Sequence, residues 1–196
     1  MALVKGTNCG FVTVSPVADP GGTPLIIDTA AAAFKDVAPA GATKVTEIGW
    51  WSNNVSEEAN FEVGIYDHNV GDNNPEARIG VDDVNAKGTA AGWKKVTGLN
   101  IAITEAVTYW IAFQLDNTAT ASNMNYSSLA GEKMDRKYAQ ASLPDPWGVS
   151  STSNAILGAI YAVYETGAPP PAAAKFGSLN RDFYGPEQNI GLYTEI

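Results

Sequence analysis

The sequence predicts an all-β fold, a jelly-roll-like antiparallel β-sandwich with an extended C-terminal arm, and three observations predict it. Apolar and polar residues alternate over runs of strand length. Gly, Pro, Asn and Asp clusters separate those runs at short intervals. Charged residues make up only 17% of the 196 residues, whereas a soluble helical protein needs charged outer faces and exposed strand positions can carry Thr, Ser and Asn. Hydrophobic residues, at 45%, suffice to fill a core. The length suits one good-sized domain with an appendage, or at most two small domains.

Taken in order, residues 11–14, 25–28 and 33–37 are short strand candidates. Residues 30–33 are alanine-only and tempt a helix, but the run is too short to hold one alone. Residues 43–53 follow as a longer strand. Residues 60–67 alternate, with Phe61, Val63 and Ile65 on one face and Glu62, Gly64 and Tyr66 on the other. Residues 92–97 and 99–103 read as two strands. Residues 107–115 alternate again, Tyr109, Ile111, Phe113 and Leu115 opposing Trp110, Ala112 and Gln114. Residues 132–141 suggest a helical turn or two inside a long loop. Residues 155–165 are apolar on both faces, through Ile156, Leu157, Ile160, Tyr161, Val163 and Tyr164, the pattern of a central strand. Turn chemistry falls at Asp19-Pro20-Gly21-Gly22, Pro39-Ala40-Gly41, Gly71 to Pro75 and Pro144-Asp145-Pro146, and short strands so punctuated indicate a sandwich or barrel.

The domain expectation is a sandwich over residues 1–166, a Pro/Ala-rich linker over 167–174 and an arm over 175–196. Pro169-Pro170-Pro171 stiffens the linker towards polyproline geometry. The arm is too short to fold alone, yet it carries Phe176, Leu179, Phe183, Tyr184, Ile190, Leu192 and Tyr193. That many apolar side chains call for a partner surface, on the same domain or, as the preferred expectation, on a neighbouring subunit.

The formal net charge of −9 argues against nucleic acid and anionic membrane as partners, since no Lys/Arg stripe exists to track phosphates. No apolar run approaches the ~20 residues of a spanning helix. The first residues lack the basic and apolar regions of a signal peptide, so synthesis in a cytoplasm without a signal peptide is expected. An exterior protein made that way fits a virion component released by lysis. Cys9 is the sole cysteine, which excludes an intramolecular disulfide. With the single histidine, His68, far along the chain, Cys9 is expected to be a small buried residue and not a catalytic thiol.

Residues 43–116 carry a resemblance. Val45-Thr46-Glu47-Ile48-Gly49-Trp50 is followed by Phe61-Glu62-Val63-Gly64-Ile65-Tyr66-Asp67, a Gly/Asp/Asn/Pro loop to Arg78-Ile79-Gly80, Gly92-Trp93, and Thr108-Tyr109-Trp110-Ile111-Ala112-Phe113-Gln114. This order resembles β-sandwich modules of bacterial surface proteins and of phage and metagenomic virion proteins, over roughly residues 43–164. The resemblance implies a jelly-roll-like fold and an exterior, non-enzymatic role. Its motifs make the fold and bring no catalytic residue with them.

The chemistry-bearing residues fit that implication. Glu57-Glu58 and Asp82-Asp83 are sequence neighbours, not carboxylates facing each other across a cleft. No Gly-x-Ser-x-Gly elbow, phosphate loop or zinc-ligand cluster is present, so nothing specific favours a hydrolase or any other enzyme. No cofactor is expected other than calcium. Asp67, Asn69 and Asp72 are its candidate ligands, although Arg78 stands where an EF-hand loop needs a bidentate Glu and the same residues also suit a plain turn. Of the tryptophans, Trp50, Trp51, Trp93 and Trp110 lie in or beside strands, so at least half should be core. Trp147 lies in a Pro-rich loop and, with Tyr126 and Tyr138, is the candidate glycan platform; the competing reading has it plugging the end of the sandwich. The expected function is a structural or decoration protein of a virion or similar extracellular assembly, docked on capsid or tail proteins or on its own copies. The alternative is a carbohydrate-binding adhesion module.

Overall fold

The computed structural model describes residues 2–52, 61–82, 91–115 and 123–167. The strands are β1 (Gly10–Val12), β2 (Thr23–Ile26), β3 (Ala30–Val37), β4 (Ala42–Ser52), β5 (Phe61–Asn69), β6 (Asn74–Asp82), β7 (Gly92–Ala102), β8 (Thr108–Leu115), β9 (Asn123–Ser128), β10 (Met134–Tyr138), β11 (Thr152–Asn154), β12 (Ile156–Gly158) and β13 (Ile160–Thr166). Among the described residues there is no helix.

The strands form two sheets. One has the order β11-β10-β3-β8-β5-β6. The other runs β1-β13-β4-β9-β12, with β7 on β4 and β2 on β9. Every strand pair is antiparallel except β1 with β13. Successive strands β3, β4 and β5 switch sheets, as do β6, β7 and β8, which gives the jelly-roll-like sandwich the alternation predicts.

Between the sheets lies the main core. Ile48 and Trp50 from β4 meet Phe61, Val63 and Ile65 from β5 and Ile111 and Phe113 from β8. The Trp50 ring stacks on Phe113 at 5.3 Å and meets Phe61 edge-on at 5.6 Å. Such offset and T-shaped contacts add to the area that the rings bury. Cys9 joins this core fully buried, and burial followed by the nearby Asp36 charge pushes its thiol up to about 12. The thiolate is therefore scarce near neutral pH, and Cys9 serves as a small packing residue.

A second, smaller core covers the outer face of the six-stranded sheet. Ala31, Ala33, Tyr66, Trp110 and Ala112 lie there beneath Leu143 and Trp147. This explains the alanine run: Ala30–Ala33 face a filled layer on either side, and their small side chains let the 140–150 segment lie close. That segment is strapped down by Leu143 N to Glu62 Oε2 (2.5 Å), Tyr66 Oη to Pro144 O (2.5 Å) and Trp147 N to Glu76 O (2.9 Å).

Three expectations need correction. Residues 132–141 hold strand β10, not helical turns, because β10 pairs with both β3 and β11. Residues 155–165 are two strands, parted at Ala159, whose N–H bonds Asn125 O while its C=O accepts from Trp51 N. Residues 92–103 are mostly one strand, continuous through Gly98, which takes a φ of 78° in the left-handed region. Linker residues 168–174 and the docking residues Phe176, Leu179, Phe183, Tyr184, Ile190, Leu192 and Tyr193 lie outside the described residues, as do Glu57, Glu58 and Asp83.

Candidate functional site

The outward face of the seven-stranded sheet carries an aromatic row that the pairing register assembles. Along β4, Ile48 and Trp50 enter the core, so Glu47, Gly49 and Trp51 point the other way. In register, Gly49 stands between Tyr161 of β13 and Lys95 of β7, and Trp51 stands opposite Trp93. A Cβ on Gly49 would lie 2.5 Å from the Tyr161 ring. Glycine thus lets Tyr161 lie across β4 and meet Trp93 edge-on at 5.1 Å. Trp93 in turn meets Trp51 edge-on at 5.5 Å and 78°. Both indoles are only partly buried.

Polar groups lock the row. Tyr161 Oη donates to Glu47 Oε1 at 2.5 Å, Ser15 Oγ donates to the same oxygen at 2.6 Å, and Lys95 Nζ lies 3.4 Å from Oε2. A carboxylate can accept from all three, which satisfies a group that is 8% exposed. Burial, with the Glu47 charge beside it, raises the Tyr161 phenol well above the ordinary tyrosine range. Trp93 Nε1 donates to Ala18 O at 3.0 Å, fixing the ring plane. The result is a Trp93 ring held in place, with Trp51 packed edge-on against it beside a lysine. Glu47 thereby ties together β13, β7 and the segment before β2.

The residues expected to bind glycan are not brought together. Trp147 is 0% exposed, meets Tyr66 edge-on at 5.2 Å, and donates from Nε1 to Ser150 Oγ at 3.0 Å. Its burial corrects the platform expectation: Trp147 seals the sheet face and offers no ring to solvent. Tyr126 is half-buried on β9 of one sheet, and Tyr138 is half-exposed on β10 of the other, beneath the Arg136 guanidinium at 4.7 Å. In sequence, Trp51 and Trp93 look no different from the other strand tryptophans. Their outward, side-by-side placement depends on the β4–β7 register, which local periodicity does not encode.

In the proposed calcium loop, Asn69 Oδ1 accepts from Gly71 N at 2.9 Å and Asp72 N at 3.1 Å, and Asn69 Nδ2 reaches Asp72 Oδ2 at 3.4 Å. Asn69 and Asp72 thereby close the turn between β5 and β6. Asp67 lies further back on β5, opposite Tyr109. Among the described residues, no group of three or more His, Cys, Asp or Glu gathers to hold a metal ion.

A shallow, open pocket of about 270 Å³ lies on the other sheet, with Lys35, Lys133, Asn73, Ser153 and Asn154 in its wall. Near it, His68 Nδ1 accepts from Trp110 Nε1 at 3.1 Å, and the Lys133 ammonium sits 5.7 Å from the Trp110 ring centroid. Burial, then the charges of Lys35 and Lys133, hold the His68 imidazole below its ordinary pKa.

Fold and face together define an all-β sandwich with an aromatic row on one sheet. No family model matches the chain, and no curated protein matches it. Among solved structures, it is similar to the crystal structure of the cysteine protease and lectin-like domains of Cwp84, a surface layer associated protein of Clostridium difficile. That similarity is 15% identity with a TM-score of 0.44, covering 70% of this chain and 32% of that one. The chain thus spans about a third of that protein's chain, and no role is carried from it.

Proposed function

We propose that this protein is a non-catalytic carbohydrate-binding β-sandwich module that works on an exterior surface. The supporting observation is the Trp51–Trp93 pair: two partly exposed indoles, directly opposite on neighbouring strands, with Trp93 held by Tyr161 and Ala18 and Trp51 packed edge-on against it. Preordered aromatic rings stack on the C–H faces of sugars with little entropy left to lose, and the adjoining Lys95 offers a hydroxyl-binding donor. The test is a glycan array followed by calorimetry on the best ligand. Trp51→Ala and Trp93→Ala are each expected to weaken binding by about tenfold or more, the effect of losing roughly 1.4 kcal/mol or more of contact. A wild-type protein that binds no glycan, or variants that bind equally well while folded, would sink the reading.

The sequence favours a second role, assembly through the arm. The apolar side chains between Lys175 and Ile196, Phe176 to Tyr193 among them, suit docking on a neighbouring subunit, a homo-oligomer partner or a capsid or tail protein. Deleting 175–196 should leave the melting of the sandwich intact and abolish self-association or particle binding, read by light scattering and co-sedimentation. Unchanged association after the deletion refutes the docking arm.

A further inference from the structure

The pocket on the six-stranded sheet has a feature that a purely structural surface would avoid. Lys35 N donates to Lys133 O at 3.0 Å, which sets the two lysines directly opposite each other across β3 and the start of β10. Like charges so placed repel and destabilise the pairing. Both ammonium groups converge on Asn73 at the β5–β6 turn: Lys35 Nζ donates to its Oδ1 at 3.0 Å and Lys133 Nζ donates to its backbone oxygen.

The surrounding carboxylates are largely committed elsewhere. Glu132, in the pocket wall, is held by Lys5 at 2.6 Å, and Lys5 also pairs with Asp36 at 3.1 Å. Asp135 is fully buried, accepts from Ser153 Oγ and lies 3.5 Å from Lys133. That leaves Lys35 with no ion pair among the described residues, beside a shallow site whose wall also includes Asn73, Ser153 and Asn154. Gly131 and Ala155, in the same wall, fill little of the space.

We propose that this pocket binds a small hydroxylated carboxylate, the class to which sugar acids belong, with the carboxylate seated at Lys35 and Lys133 and the hydroxyls against Asn73, Ser153 and Asn154. Two ammonium groups answer one carboxylate by charge-assisted hydrogen bonds. The volume lies just under the usual range of small-molecule sites, roughly 300–1,000 Å³, so the ligand is about the size of a single sugar ring. This site lies on the opposite sheet from the Trp51–Trp93 row, so it stands or falls separately from the glycan reading.

The protein has one histidine, so its imidazole signal in NMR reports on the pocket without assignment ambiguity. The probe is glucuronate at low ionic strength, with glucose as the neutral control. Glucuronate is expected to raise the His68 midpoint, because a bound negative charge offsets the two lysines. Glucose should leave it in place. Lys35→Met should weaken glucuronate binding about tenfold or more and raise the ligand-free His68 midpoint. Lys35 is the deciding position because Lys133→Met also removes a partner of buried Asp135. Trp51→Ala should bind glucuronate as wild type does. The proposal is overturned if glucuronate leaves His68 unmoved, if glucose shifts it equally, or if folded Lys35→Met binds glucuronate with wild-type affinity.

Discussion

Trp147→Ala is expected to destabilise the protein by about 3–5 kcal/mol, the usual cost of emptying a large buried aromatic site. The ring is 0% exposed and its nitrogen is bonded to Ser150. Its backbone ties the 140–150 strap to Glu76, and Lys137 Nζ donates to its carbonyl at 2.5 Å. The strap therefore limits how far neighbours can collapse, and the outward side chains of Ala31, Ala33 and Ala112 are too short to refill the space. Urea denaturation gives the magnitude. The same variant should retain glycan binding under conditions where it is still folded, because no face of the ring meets solvent. A loss below about 1 kcal/mol would mean that the strap relaxes freely, contrary to its bonding.

Gly49→Val should cost about 3 kcal/mol for a different reason, overpacking joined to a lost hydrogen bond. The new Cβ falls 2.5 Å from Cζ and Oη of Tyr161, so the ring must leave its place over β4. In leaving, it withdraws the hydroxyl from Glu47, a carboxylate with only 8% exposure, and it removes the edge that supports Trp93. Two readouts follow. Glycan affinity should fall although neither tryptophan is altered. The Tyr161 phenol, freed from burial and from the Glu47 charge, should titrate nearer the ordinary tyrosine range, visible by ultraviolet difference spectra. A variant with wild-type stability and wild-type phenol titration would show that Tyr161 does not lie across Gly49.

What the sequence revealed follows from which residues face the core. Strands β5 and β8 each have an inner face, and Phe61, Val63, Ile65, Ile111 and Phe113 write it out at period two. Strands β6, β9 and β11 are largely polar, as in Asn123-Met124-Asn125-Tyr126-Ser127-Ser128, and are defined by backbone pairing with their neighbours in the sheet. No local pattern announces them. Residues 132–138 read Glu-Lys-Met-Asp-Arg-Lys-Tyr, a helix-compatible composition that the pairing with β3 overrides. The site was less legible than the fold. Trp147 sits in a Pro-rich loop, and periodicity cannot tell a solvent-facing loop from a strap laid across a sheet. Trp51 and Trp93 are 42 positions apart, and only the register makes them a pair.

Strand β13 is bonded along both edges, parallel to β1 from Gly10 to Val12 and antiparallel to β4 from Ala42 to Trp50. A tension applied beyond Gly167 and resisted ahead of Gly10 pulls β13 and β1 in opposite directions along their shared axis. Their hydrogen bonds are then loaded together in shear rather than broken one after another like a zipper. The end of β13 is thus placed to bear a mechanical load along the strand axis.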